Sequence, residues 1–265
     1  MNLSETTRKA SFVAIVQARQ GSTRLPSKVL LPLGEVTVLE FLLDRLKKSK
    51  YLDALIVATG PKQGNAGIVR LCERLEVKVF SGSENDVLDR FWTASQLVDA
   101  SHIVRITADC PLFDYRLLDE AIEQLKPETD YLGMLSETFP DGLDLEIIKL
   151  TALETAWNEA RLPSEREHVT PFIRNNPQRF CLQDYVSKLG DSGELRWTLD
   201  EEADYQLISK IVGIFEAKGL TDFDYSDILT MTQEMPELSQ INEHINRNEG
   251  LFASQEAVSS KKGCT

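Results

Sequence analysis

The stretch Ala14-Ile15-Val16-Gln17-Ala18-Arg19-Gln20-Gly21-Ser22-Thr23-Arg24-Leu25-Pro26-Ser27-Lys28 changes character halfway along. With Phe12 and Val13 before it, the first half is an apolar run without a polar face. Such a run reads as a strand buried on both sides, as in a parallel sheet between helices. Gly21, Ser22, Thr23 and Pro26 then require a loop, and it carries three cations, Arg19, Arg24 and Lys28. The carboxyl end of a parallel strand is where an open α/β sheet binds ligands. Gly21 lets the backbone approach a ligand closely, and free N–H groups there can cradle phosphate oxygens. Arginine adds forked donors and lysine a point charge. We read the stretch as a triphosphate-binding loop; the alternative is a basic surface loop with three solvated charges. The P-loop spacing is absent, and the dinucleotide fingerprint lacks two of its three glycines.

Outward from this stretch, strand and helix patterns alternate. The spacing predicts strands over 54–59, 77–80 and 103–107, and helices over 36–48, 65–75, 84–98 and 115–125. That alternation implies a parallel sheet with right-handed crossovers. Past residue 130 the rhythm changes. Strands are expected over 131–135, 143–148, 180–185 and 195–199, and helices over 151–160, 165–174 and 201–218. Phe139-Pro140-Asp141-Gly142 reads as a turn, and Pro171 should kink or restart its helix. We take about 130–195 as a lobe inserted on the same sheet, within a single domain of 1–247. The polar stretch 248–265 reads as a disordered tail.

The chain has 265 residues, 42% of them apolar, enough for one large α/β core. Its net charge of −13 argues against nucleic-acid or anionic-membrane partners, so an anionic ligand needs local cations or a metal. No apolar run approaches a membrane span, and the N-terminus lacks a signal-peptide core. Cys72, Cys110, Cys181 and Cys264 are scattered without a Cys-x-x-Cys pair, which suits reduced thiols in a cytoplasmic protein.

Two acids follow predicted core strands. Asp109, in Thr107-Ala108-Asp109-Cys110-Pro111, is placed either to hold Mg²⁺ over a nucleotide or to cap the next helix. Asp200, before Glu201-Glu202-Ala203-Asp204, has the same two readings, and Asp204 reads as structural. Gly82, Asp86 and Arg90 lie in Phe80-Ser81-Gly82-Ser83-Glu84-Asn85-Asp86-Val87-Leu88-Asp89-Arg90, between strand and helix. There Gly82 lets the backbone lie against a base and Arg90 can reach a phosphate or Asp89, while Ser83 and Asp86 also have a capping spacing. Asp144 and Glu146 share one side of a predicted strand, suited to sugar hydroxyls or the metal, or simply a polar hairpin tip. His168 suits an acceptor anion or a base, or is structural.

The string Val16-Gln17-Ala18-Arg19-Gln20-Gly21-Ser22-Thr23-Arg24-Leu25-Pro26, then Lys28, resembles the signature loop of the nucleotide-sugar cytidylyltransferases. It is most similar to their spore-coat-polysaccharide branch. Many of those enzymes have Gly where this chain has Ser27. The resemblance continues to about residue 215. It implies an α/β, Rossmann-like nucleotide-diphospho-sugar transferase fold: a mostly parallel mixed sheet flanked by helices, with an inserted acceptor and dimerisation lobe. It implies transfer from CTP to an anionic sugar, giving a CMP- or CDP-sugar and pyrophosphate, with Mg²⁺, in a homodimer. Arg19, Arg24 and Lys28 then neutralise the leaving pyrophosphate. Ala18, Gly21, Ser22, Thr59, Gly82, Asp86 and Arg90 bind nucleotide, and Asp109 and Asp200 hold the metal. Asp144, Glu146, His168 and Arg174 meet the acceptor. A nucleotidyltransferase using another NTP, a nucleotide-sugar-dependent glycosyltransferase and a non-catalytic nucleotide sensor stay open as alternatives. The Asp109-Cys110-Pro111 sequence lacks the Asp-x-Asp that a glycosyltransferase usually carries.

Overall fold

The structure, a computed structural model, describes residues 11–245 and 247. The chain runs β1 (Phe12–Gln17), β2 (Pro32–Leu33), β3 (Val36–Thr37), α1 (Val38–Leu46), β4 (Leu52–Thr59), α2 (Ala66–Arg74) and β5 (Lys78–Ser81). It continues through α3 (Val87–Ser95), β6 (His102–Thr107), α4 (Tyr115–Gln124), β7 (Tyr131–Gly133) and β8 (Glu146–Lys149). After these come α5 (Leu150–Glu159), α6 (Pro163–His168), α7 (Pro171–Arg174), β9 (Leu182–Asp184), α8 (Glu202–Ala217) and α9 (Tyr225–Glu234).

Seven strands form one sheet in the order β5-β4-β1-β6-β8-β7-β9. The first four are mutually parallel, β8 runs antiparallel to β6 and β7, and β9 is parallel to β7. β1 lies centrally because both its faces are apolar. Ala14 and Val16 pack into a core with α1, α4 and α8, while Val13 and Ile15 pack into a second core with α3, α5 and α7. The segment expected as a lobe contributes β7, β8 and β9 to this same sheet, and its helices α5 and α7 cover the second face. The expected tail, 248–265, lies outside the described residues.

Several boundaries differ from the sequence expectation. The 36–48 pattern opens with β3; its helix starts where the Thr37 side chain accepts from the Glu40 N–H. The 84–98 helix shortens to α3, because Asp86 caps it by accepting from the Asp89 N–H at 2.9 Å. The 143–148 strand begins only at Glu146, so Asp144 stands outside it. No strand forms over 195–199; an isolated bridge joins Asp141 to Arg196. The 165–174 helix breaks at Val169, where φ is +71°, and restarts at Pro171. α9 was not expected; Asp224 caps it by accepting from the Asp227 N–H, and Ile228, Leu229 and Met231 bury its inner face.

Candidate active site

β1 ends at Gln17, and the loop beyond it is tied at both ends. Ala18 N–H donates to Ala58 O at 3.1 Å, and Gln20 N–H donates to Asn65 Oδ1 at 2.9 Å. Ser22 and Ser27 both donate their N–H to Gln20 O, at 2.9 and 3.1 Å, closing the loop on itself. Ser27 then takes a left-handed conformation, φ 54° and ψ 28°, and a short 3₁₀ turn, Lys28–Leu30, carries Lys28 back under the loop.

The loop forms one wall of a cleft of about 160 Å³ whose lining includes Ala18, Arg19, Ser22, Arg24, Lys28, Asp109 and Asp200. The buried Lys28 Nζ donates to Asp109 Oδ2 at 2.9 Å and to Asp200 Oδ1 at 2.6 Å. Burial works against both charges, but the pair wins: Asp109 is held down at about 2, and Lys28 is raised above the usual lysine value. Arg24 reaches Asp200 at 3.3 Å and Glu201 at 3.2 Å. Arg19 is exposed. Gly21 has open space around it.

Neither aspartate is a helix cap. Asp114 caps α4 by accepting from the Arg116 N–H. At the start of α8, the carboxylate of the fully buried Asp204 accepts from the N–H of Asp200 and of Glu201, each at 2.9 Å. Asp204 also takes Arg196 Nε at 2.9 Å, and Arg196 reaches Asp141 at 2.8 Å and Asp200 at 3.4 Å. Asp204 therefore fixes the turn that presents Asp200, as its structural reading requires. Cys110 is buried beside Asp109; burial pushes its thiol well above the usual value, which suits a filler and not a nucleophile. Cys72, Cys110 and Cys181 are unpaired.

A second cleft, of about 310 Å³, adjoins the first and shares Gln17 and Arg19 with it. Its walls include Glu84, Arg90, Arg105, Arg166, Glu167 and His168. Arg90 is 2% exposed and donates to the Ser83 and Glu84 carbonyls rather than to Asp89, which instead accepts from Trp157 Nε1. Burial and the neighbouring Arg105 hold His168 below the usual imidazole value despite Glu167.

Other residues expected at ligands have protein partners or positions that the sequence did not show. Glu146 is a buried hub: Oε1 accepts from Tyr131 Oη at 2.6 Å and Thr170 Oγ1 at 2.7 Å, and Oε2 pairs with Arg105. Its oxygens are committed, so it acts on the cleft through Arg105 and not on an acceptor directly. Asp144 is half exposed and takes Arg247 at 3.3 Å, so it does not share a strand face with Glu146. Asp86 is held by Arg166 at 2.6 Å as well as capping α3. Thr59 is fully buried and lines neither cleft. A Cβ at Gly82 meets the Phe80 ring at 2.8 Å, so packing explains that glycine without a base. Arg174 is exposed at the end of α7, outside both walls.

Sequence reasoning missed Gln17, Arg105 and Arg166. Arg105 had a signal: a charge inside the apolar strand Ile103-Val104-Arg105-Ile106. Arg166 lies in Glu165-Arg166-Glu167-His168-Val169-Thr170-Pro171, a string that resembles one in the spore-coat-polysaccharide branch, but its charged neighbours did not mark it out from His168.

The sheet order and the phosphate-sized cleft at the carboxyl end of β1 define a Rossmann-like nucleotidyltransferase fold. The cytidylyltransferase family profile matches residues 13–243, and the chain belongs to that family. It is 41% identical over 242 residues to the uncharacterised protein MJ1063 of Methanocaldococcus jannaschii, covering 89% of this chain and 96% of that protein. It is 33% identical over 236 residues to the spore coat polysaccharide biosynthesis protein SpsF of Bacillus subtilis, covering 84% and 94%. The solved cytidylyltransferase of Leptospira borgpetersenii superposes with a TM-score of 0.82 at 33% identity, covering 87% of this chain and 97% of that one.

Proposed function

We propose that this chain transfers the cytidylyl group of CTP to an anionic sugar, a sugar acid or sugar phosphate, releasing pyrophosphate. One observation carries the reading: a cleft lined by three loop cations and two carboxylates lies beside a larger one, with Gln17 and Arg19 lining both. The first suits a triphosphate, and the second is large enough for a sugar or a nucleoside. An acceptor oxygen attacks the α-phosphorus in line, and the bond to the β-phosphate breaks. Arg19, Arg24 and Lys28 offset charge growing on the pyrophosphate; phosphoryl chemistry depends mainly on such positioning and electrostatics.

Two carboxylates that reach one ammonium are close enough to share one cation, and oxygen donors of this kind suit Mg²⁺. Asp109 and Asp200 are the residues to hold it. Bound there with the nucleotide, it adds positive charge at the phosphates. In the second cleft, Arg105 and His168 are placed to meet the acceptor, with Arg90 on the nucleotide side.

SpsF by its name serves a surface polysaccharide, and a similar pathway is our reading here. No described helix is long and apolar enough to cross a membrane. We also read the protein as a cytoplasmic homodimer, testable by light scattering. The decisive assay incubates protein, Mg²⁺ and CTP with sugar acids and sugar phosphates and follows pyrophosphate. Release that requires one of these acceptors supports the reading. Equal release with another NTP, or transfer of sugar from a nucleotide-sugar, contradicts it.

A further inference from the structure

We propose that Lys28 acts as an internal counter-ion that keeps a free divalent ion away from Asp109 and Asp200, so that the metal enters only together with nucleotide. The inference rests on those two aspartates being the metal ligands.

The geometry starts from the backbone. Ser27 turns the chain, Leu30 N–H donates to Ser27 O at 2.8 Å, and the resulting tight turn fixes where the Lys28 stem begins. The stem is buried, so its ammonium depends on the two carboxylates for hydrogen bonds, at 2.9 and 2.6 Å. Each gives Lys28 an oxygen that a metal would need. The other Asp200 oxygen is already shared by Arg24 at 3.3 Å and Arg196 at 3.4 Å. Three cations thus contact the two carboxylates, so a lone divalent ion meets one oxygen of Asp109 and both oxygens of Asp200 already engaged by positive partners.

Such an ion must displace an ammonium and shed water, and Mg²⁺ sheds water reluctantly. A triphosphate changes the balance. It brings several negative charges and gives Lys28 and Arg24 new partners on the same cleft wall. The flexible lysine stem can turn from the carboxylates to phosphate oxygens, freeing the carboxylates for the metal. Metal and nucleotide must then strengthen each other's binding, and by linkage the factor is the same in both directions.

The test measures free Mn²⁺ by electron paramagnetic resonance, with and without CTP. In the native protein, Mn²⁺ should bind at least tenfold more weakly without CTP, about 1.4 kcal/mol. Lys28→Met keeps most of the stem and removes the charge. Without CTP it should bind Mn²⁺ at least tenfold more tightly than the native protein, whereas Lys28→Arg should stay weak. Adding Asp109→Asn to Lys28→Met should abolish the gain. Native protein that binds Mn²⁺ equally well with and without CTP overturns the inference, and this arm needs no variant to fold. So does a folded Lys28→Met protein that gains nothing. If Asp109→Asn and Asp200→Asn leave Mn²⁺·CTP binding unchanged, the metal-ligand reading itself is what fails.

Discussion

Ser27 carries positive φ without the glycine that many of the resembled enzymes have there. A left-handed conformation costs an L-residue about 1 kcal/mol, and more when the side chain is β-branched. Ser27→Gly removes that strain but adds freedom to the unfolded chain. It should leave stability unchanged or raise it by up to about 1 kcal/mol, while Ser27→Val should lose about 1 kcal/mol or more. Urea unfolding of both variants checks this; equal stability of the two contradicts the strain. Asp141 offers a test by pH. Burial and Asp144 push its carboxyl up to about 7, against the pull of Arg196. Its folded value lies above the unfolded one, so it costs the fold stability as pH rises from about 4 through about 7. Asp141→Asn stays neutral, and Arg196 keeps Asp204 and Asp200. The variant should gain in melting temperature relative to the native protein between pH 5 and pH 8. A relative loss over that range shows that the Arg196 pair dominates.

The element that sets the Asp200 side of the cleft is the turn at Asp141-Gly142. Trp197 N–H donates to Asp141 O at 2.6 Å and Asp141 N–H to Leu195 O at 2.9 Å, binding the turn to the segment that ends in Asp200. Gly142 has φ +105°, and a Cβ there would lie 2.5 Å from Thr198 N, a backbone atom that cannot swing aside. Gly142→Ala should cost about 2 kcal/mol or more through backbone strain and overpacking. It should also weaken Mg²⁺·CTP binding by shifting Asp200. Chemical denaturation with calorimetry reads both, and a loss below about 0.5 kcal/mol contradicts the account. The sequence announced this turn through Asp141-Gly142, but not what it presses against. It likewise announced a break at Pro171, yet the break begins at Val169, where Thr170 N–H returns to His168 O at 2.8 Å in a γ-turn. Pro171 removes a donor, whereas the γ-turn is held by Thr170 on Glu146, a contact 24 residues away that periodicity does not encode.

Across the whole molecule, the parallel half of the sheet was legible because its strands are apolar on both faces. In the other half, the expected strands 131–135, 143–148 and 180–185 each overlap an observed one, but their bounds miss, because β7, β8 and β9 are only three or four residues long. The loop and Asp109 were legible for a related reason, since each follows an apolar strand, whereas Asp200 follows the mixed run Leu195-Arg196-Trp197-Thr198-Leu199, over which no strand forms. The second cleft is assembled from α3, β6 and α6, whose meeting depends on packing, so Arg105 and Arg166 stayed hidden. The same packing puts His168 of the lobe in one cleft with Arg19 and Arg90. A net charge of −13 also makes the local cations decisive, since the rest of the protein repels a nucleotide.

The central claim is that these cations and two carboxylates form a site for CTP with a divalent ion. Calorimetric titration with CTP, UTP, GTP and ATP, each with Mg²⁺, tests it without needing to know the acceptor. CTP should bind at least tenfold more tightly than the other three, a preference of about 1.4 kcal/mol. Equal affinity for all four nucleotides, or tighter binding of any other, contradicts the account.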